Sequence, residues 1–263
     1  MEYLHYWSLS EPPFGPSASR FFFNGLPQRE TTAWIRQLVL QREPLGVLIC
    51  PSGIGATRLL AQVALCSGFD RCAVEVVCTS GRQSSVERTF ANLAKSLGLA
   101  PQRHSIGAVM RTFDSNYRYS IRTLWMIDGL GKHSVEAMLQ LSQHRHDLTI
   151  VSTVTPSLQK LVRKRFNEYL GRRSSKRVPQ TEMNAFCSDE TSRFIDHSLQ
   201  VAGVHRKIFT QGAKAQIYTQ SNGKIRSVSR LARQALMLGA SERAKQITAR
   251  QVKAVEKNSG KAA

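Results

Sequence analysis

The segment Cys50-Pro51-Ser52-Gly53-Ile54-Gly55-Ala56-Thr57 has residue types and spacing suited to holding a phosphate group. It follows an apolar run of strand length, residues 45–50, and precedes a helical pattern over residues 57–65. In the pattern G-x-x-x-x-G-K-[ST], backbone N–H groups cradle the phosphates, the Lys reaches the terminal phosphates and the hydroxyl binds Mg²⁺. Here Gly55 and Thr57 match, whereas Cys50 replaces the first Gly and Ala56 replaces the Lys. A simple strand-to-helix turn is the alternative interpretation. The predicted nucleotide-binding residues are Pro51, Ser52, Gly53, Ile54, Gly55, Ala56, Thr57 and Arg58.

A second feature supports a phosphate site. The apolar run Leu124-Trp125-Met126-Ile127 ends in Asp128, and such an aspartate orders the Mg²⁺ shell in nucleotide hydrolases. In those enzymes a Glu usually follows and polarises the attacking water, but here the next residue is Gly129. We therefore predict that Thr57 and Asp128 hold the metal ion, with ATP and Mg²⁺ as the candidate cofactors.

The two missing residues are those that act on the terminal phosphate and on water. A cation beside the phosphates and a carboxylate that orients water contribute orders of magnitude in rate. Arg58 does not replace the missing Lys, because one residue further along a helix turns the side chain by about 100°. Hydrolysis is therefore expected to be slow or absent, while nucleotide binding without turnover and a nucleotide-free scaffold both remain open.

Strand and helix patterns alternate along the first two thirds of the chain. Continuous apolar runs predict strands at residues 45–50, 73–77, 124–128 and 148–154, and amphipathic patterns predict helices at 28–42, 57–65, 84–97, 106–118 and 134–142. Strands that lack alternating polarity and are separated by helices indicate a parallel sheet covered on both faces. From residue 188 onward only helices are predicted, at 188–201, 210–220, 225–239 and 247–256.

The N-terminal segment differs from both regions, because it is rich in proline and aromatic residues. We interpret residues 1–27 as an extended arm that packs on the base through its aromatic side chains. Residues 28–185 then form the α/β nucleotide-binding base, and residues 186–263 form a helical lid.

Three blocks of the chain resemble the ExeA-like AAA+ ATPases, a family named after the general secretion pathway protein A. Residues 6–14 and 20–23 resemble the aromatic opening of the family, and the middle block is the loop and the Asp128 strand described above. The C-terminal block is similar to the family's Ala-Gly turn, Phe-Thr helix start, sensor 2 and final Ile-Thr. Its matching segments are Ala202-Gly203, Phe209-Thr210, Asn222-Gly223-Lys224-Ile225-Arg226 and Ile247-Thr248. The resemblance covers the whole chain and implies a P-loop NTPase base of the AAA+ type followed by a small helical lid, with both Walker motifs degenerate.

The resemblance also implies roles for individual residues. Arg226 matches the sensor 2 arginine, although Ile225 replaces the usual proline. Arg172 or Arg173 falls where related proteins supply an arginine finger to a neighbouring subunit, and sensor 1 falls at Thr153 or Thr155. The implied partners are a homo-oligomer, DNA, and proteins of a transposition or secretion system.

The charge of the chain points to a polyanionic partner. The formal net charge is +19, and residues 101–263 carry 28 basic and 11 acidic side chains, against 9 and 7 in residues 1–100. Aromatic residues are scarce among these cations, which favours contact with duplex phosphates over base stacking. A solvated basic face is the alternative. The candidate nucleic-acid contacts are Lys160, Arg163, Lys164, Arg165, Lys176 and Arg177.

Composition excludes several classes of protein. No run approaches the roughly 20 apolar residues of a membrane helix, and the N-terminus lacks the pattern of a signal peptide, so we expect a cytoplasmic protein without membrane insertion. The five cysteines form no Cys-x-x-Cys pair that would indicate a zinc site. The leading hypothesis is a degenerate AAA+ protein that binds DNA or assembles partners. The alternatives are an active ATPase of the same type and a protein-interaction scaffold.

Overall fold

The computed structural model describes residues 2–14, 22–65, 69, 72–142, 147–170 and 178–259, with residues 167–170 and 256–259 described by their backbone alone. The chain divides into two compact units. The base unit comprises Gln28–Pro51 and Ala56–Met183, and the helical unit comprises Met1–Pro27, Ser52–Gly55 and Asn184–Ala263.

The base unit is an α/β structure. Its strands are β1 (Leu45–Ile49), β2 (Val74–Ser80), β3 (Arg122–Asp128), β4 (Leu148–Val154) and β5 (Gln180–Glu182). Its helices are α2 (Leu26–Leu40, most of which lies in this unit), α3 (Ala56–Leu65), α4 (Val86–Ser96), α5 (Ile106–Arg118), α6 (Lys132–Ser142) and α7 (Pro156–Leu170).

The five strands form one parallel sheet in the order β2-β3-β4-β1-β5, which confirms the predicted parallel sheet. Every residue of β1 and β4 is buried, because helices cover both faces, and this burial explains the continuous apolar runs in the sequence. All carboxyl ends meet at one edge, where Ser80 pairs with Asp128 and Ile49 pairs with Val154. The loop after β1 and the end of β3 therefore emerge from the same side of the sheet.

Among the described residues of the base unit, strand β5 and helix α7 were not predicted. Strand β5 has three residues and the polar sequence Gln-Thr-Glu, so it carries no hydrophobic pattern, and its pairing with β1 alone defines it. Helix α7 begins at Pro156, a favoured first helical position, and buries Val162 and Phe166. Basic residues separate these apolar positions, so the hydrophobic periodicity of a helix is weak in this part of the sequence.

The helical unit contains α8 (Ser188–Val201), α9 (Gln211–Ser221), α10 (Ile225–Ser241) and α11 (Ala249–Ser259), close to the predicted bounds. Buried apolar side chains from all four helices form its core. Helix α8 begins with a capping box in which both Glu190 carboxylate oxygens accept backbone N–H groups, those of Leu26 and Cys187. The bond from the Leu26 N–H joins residue 26 to the start of α8 within the helical unit.

The prediction of an extended arm on the base is wrong for the N-terminal residues. Residues Glu2–Trp7 form helix α1, and its Tyr3 and Trp7 belong to the core of the helical unit. Trp7 is 0% exposed and its Nε1 donates to the Leu236 carbonyl at 2.8 Å, while the Tyr6 hydroxyl donates to the Ala244 carbonyl at 2.8 Å. A helix is allowed here because the first proline of the chain is Pro12, five residues after α1 ends.

Candidate functional site

The base unit brings together the two residues predicted to hold a metal ion. Thr57 is the second residue of α3 and Asp128 is the last residue of β3. The Thr57 hydroxyl donates to Asp128 Oδ2 at 2.7 Å, although 71 residues separate them in sequence. The second carboxylate oxygen, Oδ1, accepts a hydrogen bond of 3.2 Å from the Thr153 hydroxyl of the neighbouring strand β4.

The structure separates the two candidates for sensor 1. Thr153 contacts Asp128 and also accepts a hydrogen bond of 2.7 Å from the Gly129 backbone N–H. Thr155 instead pairs its exposed hydroxyl with that of Ser157 at 2.9 Å. Of the two candidates, Thr153 is therefore the one that contacts Asp128 and the backbone that follows it.

The Asp128 carboxylate also acts on two thiols, that of the buried Cys50 and that of the half-buried Cys78. Burial, followed by the charge of Asp128 and then that of Glu182, raises the pKa of Cys50 to about 12. Burial and the Asp128 charge raise the pKa of Cys78 to about 11. Both thiols are consequently protonated at neutral pH, so Cys50, which replaces the first glycine of the loop pattern, is a neutral group beside the phosphate loop.

Oxygen donors are the ligands that suit Mg²⁺ here. Among the described residues no group of three or more His, Cys, Asp or Glu side chains is placed to hold a metal ion. Mg²⁺ commonly uses one or two protein oxygens and completes its shell with water and substrate phosphates, so a larger cluster is not required. The hydroxyl of Thr57 and the carboxylate of Asp128, already in contact, fit that requirement.

Residues Ser52–Gly55 of the phosphate loop are packed within the helical unit. Gly53 and Gly55 have φ values of +85° and +92°, a conformation that favours glycine. The Gly53 carbonyl accepts a 2.9 Å hydrogen bond from the backbone N–H of Arg226 in the first turn of α10. A Cβ atom added at Gly53 would lie 3.2 Å from Arg226 Cβ, and one at Gly55 would lie 3.0 Å from Ile225 Cδ1. The predicted sensor 2 residue therefore adjoins the loop directly.

A cation that the sequence analysis missed lies at the position of the absent glutamate. In the loop after β2, Gly81 donates its N–H to the Asp128 carbonyl at 2.9 Å. The fit is close, because a Cβ at Gly81 would lie 2.4 Å from the Gly129 carbonyl oxygen. This packing places Arg82 Nε 3.6 Å from where a Cβ of residue 129 would stand. In the described part of the chain, no carboxylate pairs with the Arg82 guanidinium.

The candidate nucleic-acid residues fall on different sides of α7. Lys160, Arg163 and Lys164 are exposed and lie within about 100° of one another around the helix axis. Arg165 is also exposed but points to the opposite side. Four other predicted site residues, Arg172, Arg173, Lys176 and Arg177, lie outside the described residues.

Known proteins resemble this chain in structure but not in sequence. No protein-family model matches the sequence, and no curated protein matches it. Among solved structures, the ORC2 protein of Aeropyrum pernix in its ADP form aligns with a TM-score of 0.62 at 11% identity, covering 89% of this chain and 68% of that one. The Holliday junction branch migration motor RuvB of Thermotoga maritima aligns with a TM-score of 0.55 at 16% identity, covering 88% and 67%. A Walker-type ATPase of Pyrococcus abyssi gives 0.59 at 13% identity, covering 89% and 73%.

These similarities, together with the strand order, define the class of fold. The chain has the AAA+ P-loop NTPase fold, with a parallel five-stranded sheet followed by helices. At identities of 11–17% the likeness concerns the fold alone. No helix in the described ranges combines the length and the apolar character needed to cross a membrane.

Proposed function

We propose that this protein is a degenerate AAA+ protein of the ExeA-like type that binds Mg-ATP weakly and hydrolyses it slowly or not at all. The observation that carries the proposal is the 2.7 Å hydrogen bond between Thr57 and Asp128. The residue that follows Asp128 is Gly129, which has no side chain. The two residues that we propose as metal ligands are in contact, whereas the position where a glutamate would polarise water is occupied by a glycine. In our proposal the protein binds the nucleotide as a ligand and does not depend on its hydrolysis.

In this proposal the residues of the chain divide the task of binding. The N–H groups of residues 52–57 receive the phosphates, and the start of α3 adds positive potential. Thr57 and Asp128 hold Mg²⁺, which would neutralise phosphate charge when bound. Arg226, whose backbone N–H bonds the Gly53 carbonyl within the helical unit, is the residue that the family resemblance assigns to sensor 2. These contacts replace only part of the attraction that the missing lysine would provide.

The region around Gly129 accounts for the slow chemistry. A glutamate there would accept a proton from the attacking water, but Gly129 offers no acceptor, and the nearby Arg82 guanidinium is a hydrogen-bond donor only. A cation at this place attracts the phosphate groups without activating water. Binding and hydrolysis are thereby separated by a difference of residue type at one position.

Titration of the purified chain with a fluorescent ATP analogue in the presence of Mg²⁺ tests the proposal. We expect saturable binding that weakens at least tenfold in Asp128→Ala and Thr57→Ala, since each change removes one oxygen ligand. Thr155→Ala is the matched control, because its hydroxyl contacts Ser157 rather than Asp128, and it should bind as the unchanged protein does.

Two other results would replace the proposal with its alternatives. Steady-state phosphate release at ordinary AAA+ rates, abolished by Asp128→Ala, would establish an active ATPase. Absence of saturable binding at millimolar nucleotide would establish a scaffold that has kept the fold alone.

DNA binding is a second candidate function, and a specific observation favours it. Lys160, Arg163 and Lys164 project from one face of α7, and the whole chain carries a net charge of +19. A row of cations at helical spacing suits the phosphates of duplex DNA. RuvB, which shares the fold, is a Holliday junction branch migration motor. The salt dependence of duplex binding tests this function.

A further inference from the structure

An apolar groove of about 620 Å³ runs between α6 and α7 in the base unit. Aliphatic side chains provide most of its lining: Leu130, Val135, Leu139, Leu158, Leu161 and Val162. Leu158 and Leu161 are 40% and 56% exposed, on consecutive turns of the same helix. Single exposed leucines are common on protein surfaces, but a contiguous concave group of them marks an interaction site.

The groove is distinct from the basic face of α7. With 3.6 residues per turn, residues 158, 161, 162 and 165 fall within about 100° of one another. The cations Lys160, Arg163 and Lys164 fall on the opposite side of the helix. Contacts between those cations and DNA phosphates would leave the groove uncovered, so DNA binding does not explain its two exposed leucines.

The charges at the groove indicate what kind of segment it accepts. Lys132 and Arg165 are exposed and contribute to its lining, and Glu136 is the one carboxylate among the lining residues. Within the described ranges neither cation forms an ion pair. On a chain of net charge +19, this local excess attracts an acidic segment and repels a basic one.

The length of the groove fits a short helix. Along α7 the lining extends over the eight residues from Leu158 to Arg165, a rise of about 10 Å, which corresponds to two helical turns. A helix that inserts apolar side chains at positions i, i+3 or i+4, and i+7 covers the same distance.

We propose that the α6–α7 groove binds an amphipathic helix of a partner protein, with apolar anchors at this spacing and carboxylates beside them. The apolar anchors cover Leu158 and Leu161, and the carboxylates face Lys132 and Arg165. This surface and the nucleotide site use different residues, so the proposal stands whether or not the protein binds ATP.

Selection from a phage-displayed library of random 16-residue peptides on the immobilised full chain tests the proposal. The expected consensus has apolar residues at i, i+3 or i+4, and i+7 with Asp or Glu between them. Peptides so selected should bind Leu158→Ser/Leu161→Ser at least tenfold more weakly. Met237→Ser is the matched control, because Met237 is 45% exposed on α10 of the helical unit and its loss should not alter binding.

A second test reverses the two positive charges at the groove. Its readout is a change in the selected peptide sequence rather than a loss of binding. Lys132→Glu/Arg165→Glu should select peptides with the same apolar spacing but with Lys or Arg in place of the carboxylates. A consensus that keeps its acidic residues on this variant would overturn the proposal, as would the absence of a consensus specific to the groove on the unchanged chain. Self-association in sedimentation velocity that Leu158→Ser/Leu161→Ser abolishes would assign the groove to a second copy, and this outcome also refutes the proposal.

Discussion

At the scale of single residues, the contact between the two proposed metal ligands does not depend on the two residues that the motif patterns lack. The bond between Thr57 and Asp128 depends on a hydroxyl and a carboxylate at the ends of α3 and β3, and neither the missing lysine nor the missing glutamate takes part in it. Replacement of those two residues by Ala56 and Gly129 leaves the geometry of the pair in place. The contact between the two proposed metal ligands therefore does not require a lysine at position 56 or a glutamate at position 129.

The thiols of Cys50 and Cys78 allow the effect of the Asp128 charge to be measured. Because a nearby carboxylate disfavours the thiolate, Asp128→Asn should lower the pKa values of Cys50 and Cys78 from about 12 and about 11. A lower pKa raises the thiolate fraction, and with it the alkylation rate at pH 9. Iodoacetamide labelling followed by peptide mass spectrometry measures the rate at each cysteine.

Glu182→Gln is the matched control for this prediction. The Glu182 charge contributes to the raised pKa of Cys50 but not to that of Cys78. The control should therefore accelerate labelling of Cys50 alone. Equal rates at Cys78 in Asp128→Asn and the unchanged protein would contradict the influence of the Asp128 charge on this thiol.

Sequence reasoning identified the separate residues of the site but not all of their contacts. Thr57 and Asp128 could be predicted from motif positions, whereas Arg82 could not. Its place beside Gly129 depends on close packing between Gly81 and Gly129, 48 residues apart, and no local pattern encodes that approach. The choice between Thr153 and Thr155 likewise required the register of β4 against β3.

At the scale of elements, amphipathic patterns predicted most of the longer helices, and continuous apolar runs predicted the buried strands. Helices α5 and α8 begin and end at the predicted residues, since each has an apolar face and a defined start. The exceptions are elements that tertiary packing creates. Strand β5 has no apolar pattern, and α1 is a six-residue helix that is too short to be stable without a core to pack on.

Helix α1 should depend on one side chain. Trp7→Ala removes a fully buried indole from the core of the helical unit, and we expect a loss of about 3–5 kcal/mol in the free energy of unfolding. Tyr6→Phe removes only the hydroxyl that donates to Ala244 and should cost about 0.5–1.5 kcal/mol. Urea denaturation followed by circular dichroism measures both. A Trp7→Ala loss no larger than that of Tyr6→Phe would mean that α1 is not part of the core.

At the scale of the whole molecule, the positively charged side chains lie in several separate places rather than on one surface. Arg226 belongs to the loop region, Lys132 and Arg165 belong to the α6–α7 groove, and Lys160, Arg163 and Lys164 form a separate face of α7. Composition alone revealed the total of +19 and its concentration after residue 100, but it could not divide the charge among these places. The division makes the candidate functions separable by mutation.

Duplex DNA binding should follow the face formed by Lys160, Arg163 and Lys164. Each phosphate neutralised contributes about 0.9 to the slope of log K against log salt, so replacing all three residues by Ala should reduce that slope by about 2–3. Fluorescence anisotropy of a labelled duplex between 50 and 300 mM salt measures the slope. The exposed cations Arg88, Arg111 and Arg118 of α4 and α5 form a control triple with the same loss of charge.

The comparison of the two triples decides between local contact and bulk charge. Both remove three positive charges, so an effect of net charge alone would weaken binding equally in both. Contact through α7 predicts that only the Lys160/Arg163/Lys164 triple lowers the slope, and that Leu158→Ser/Leu161→Ser leaves it unchanged because the leucines lie on the other side of the helix. Equal losses in the two triples, or no measurable binding at 50 mM salt, would exclude α7 as a specific DNA-binding face.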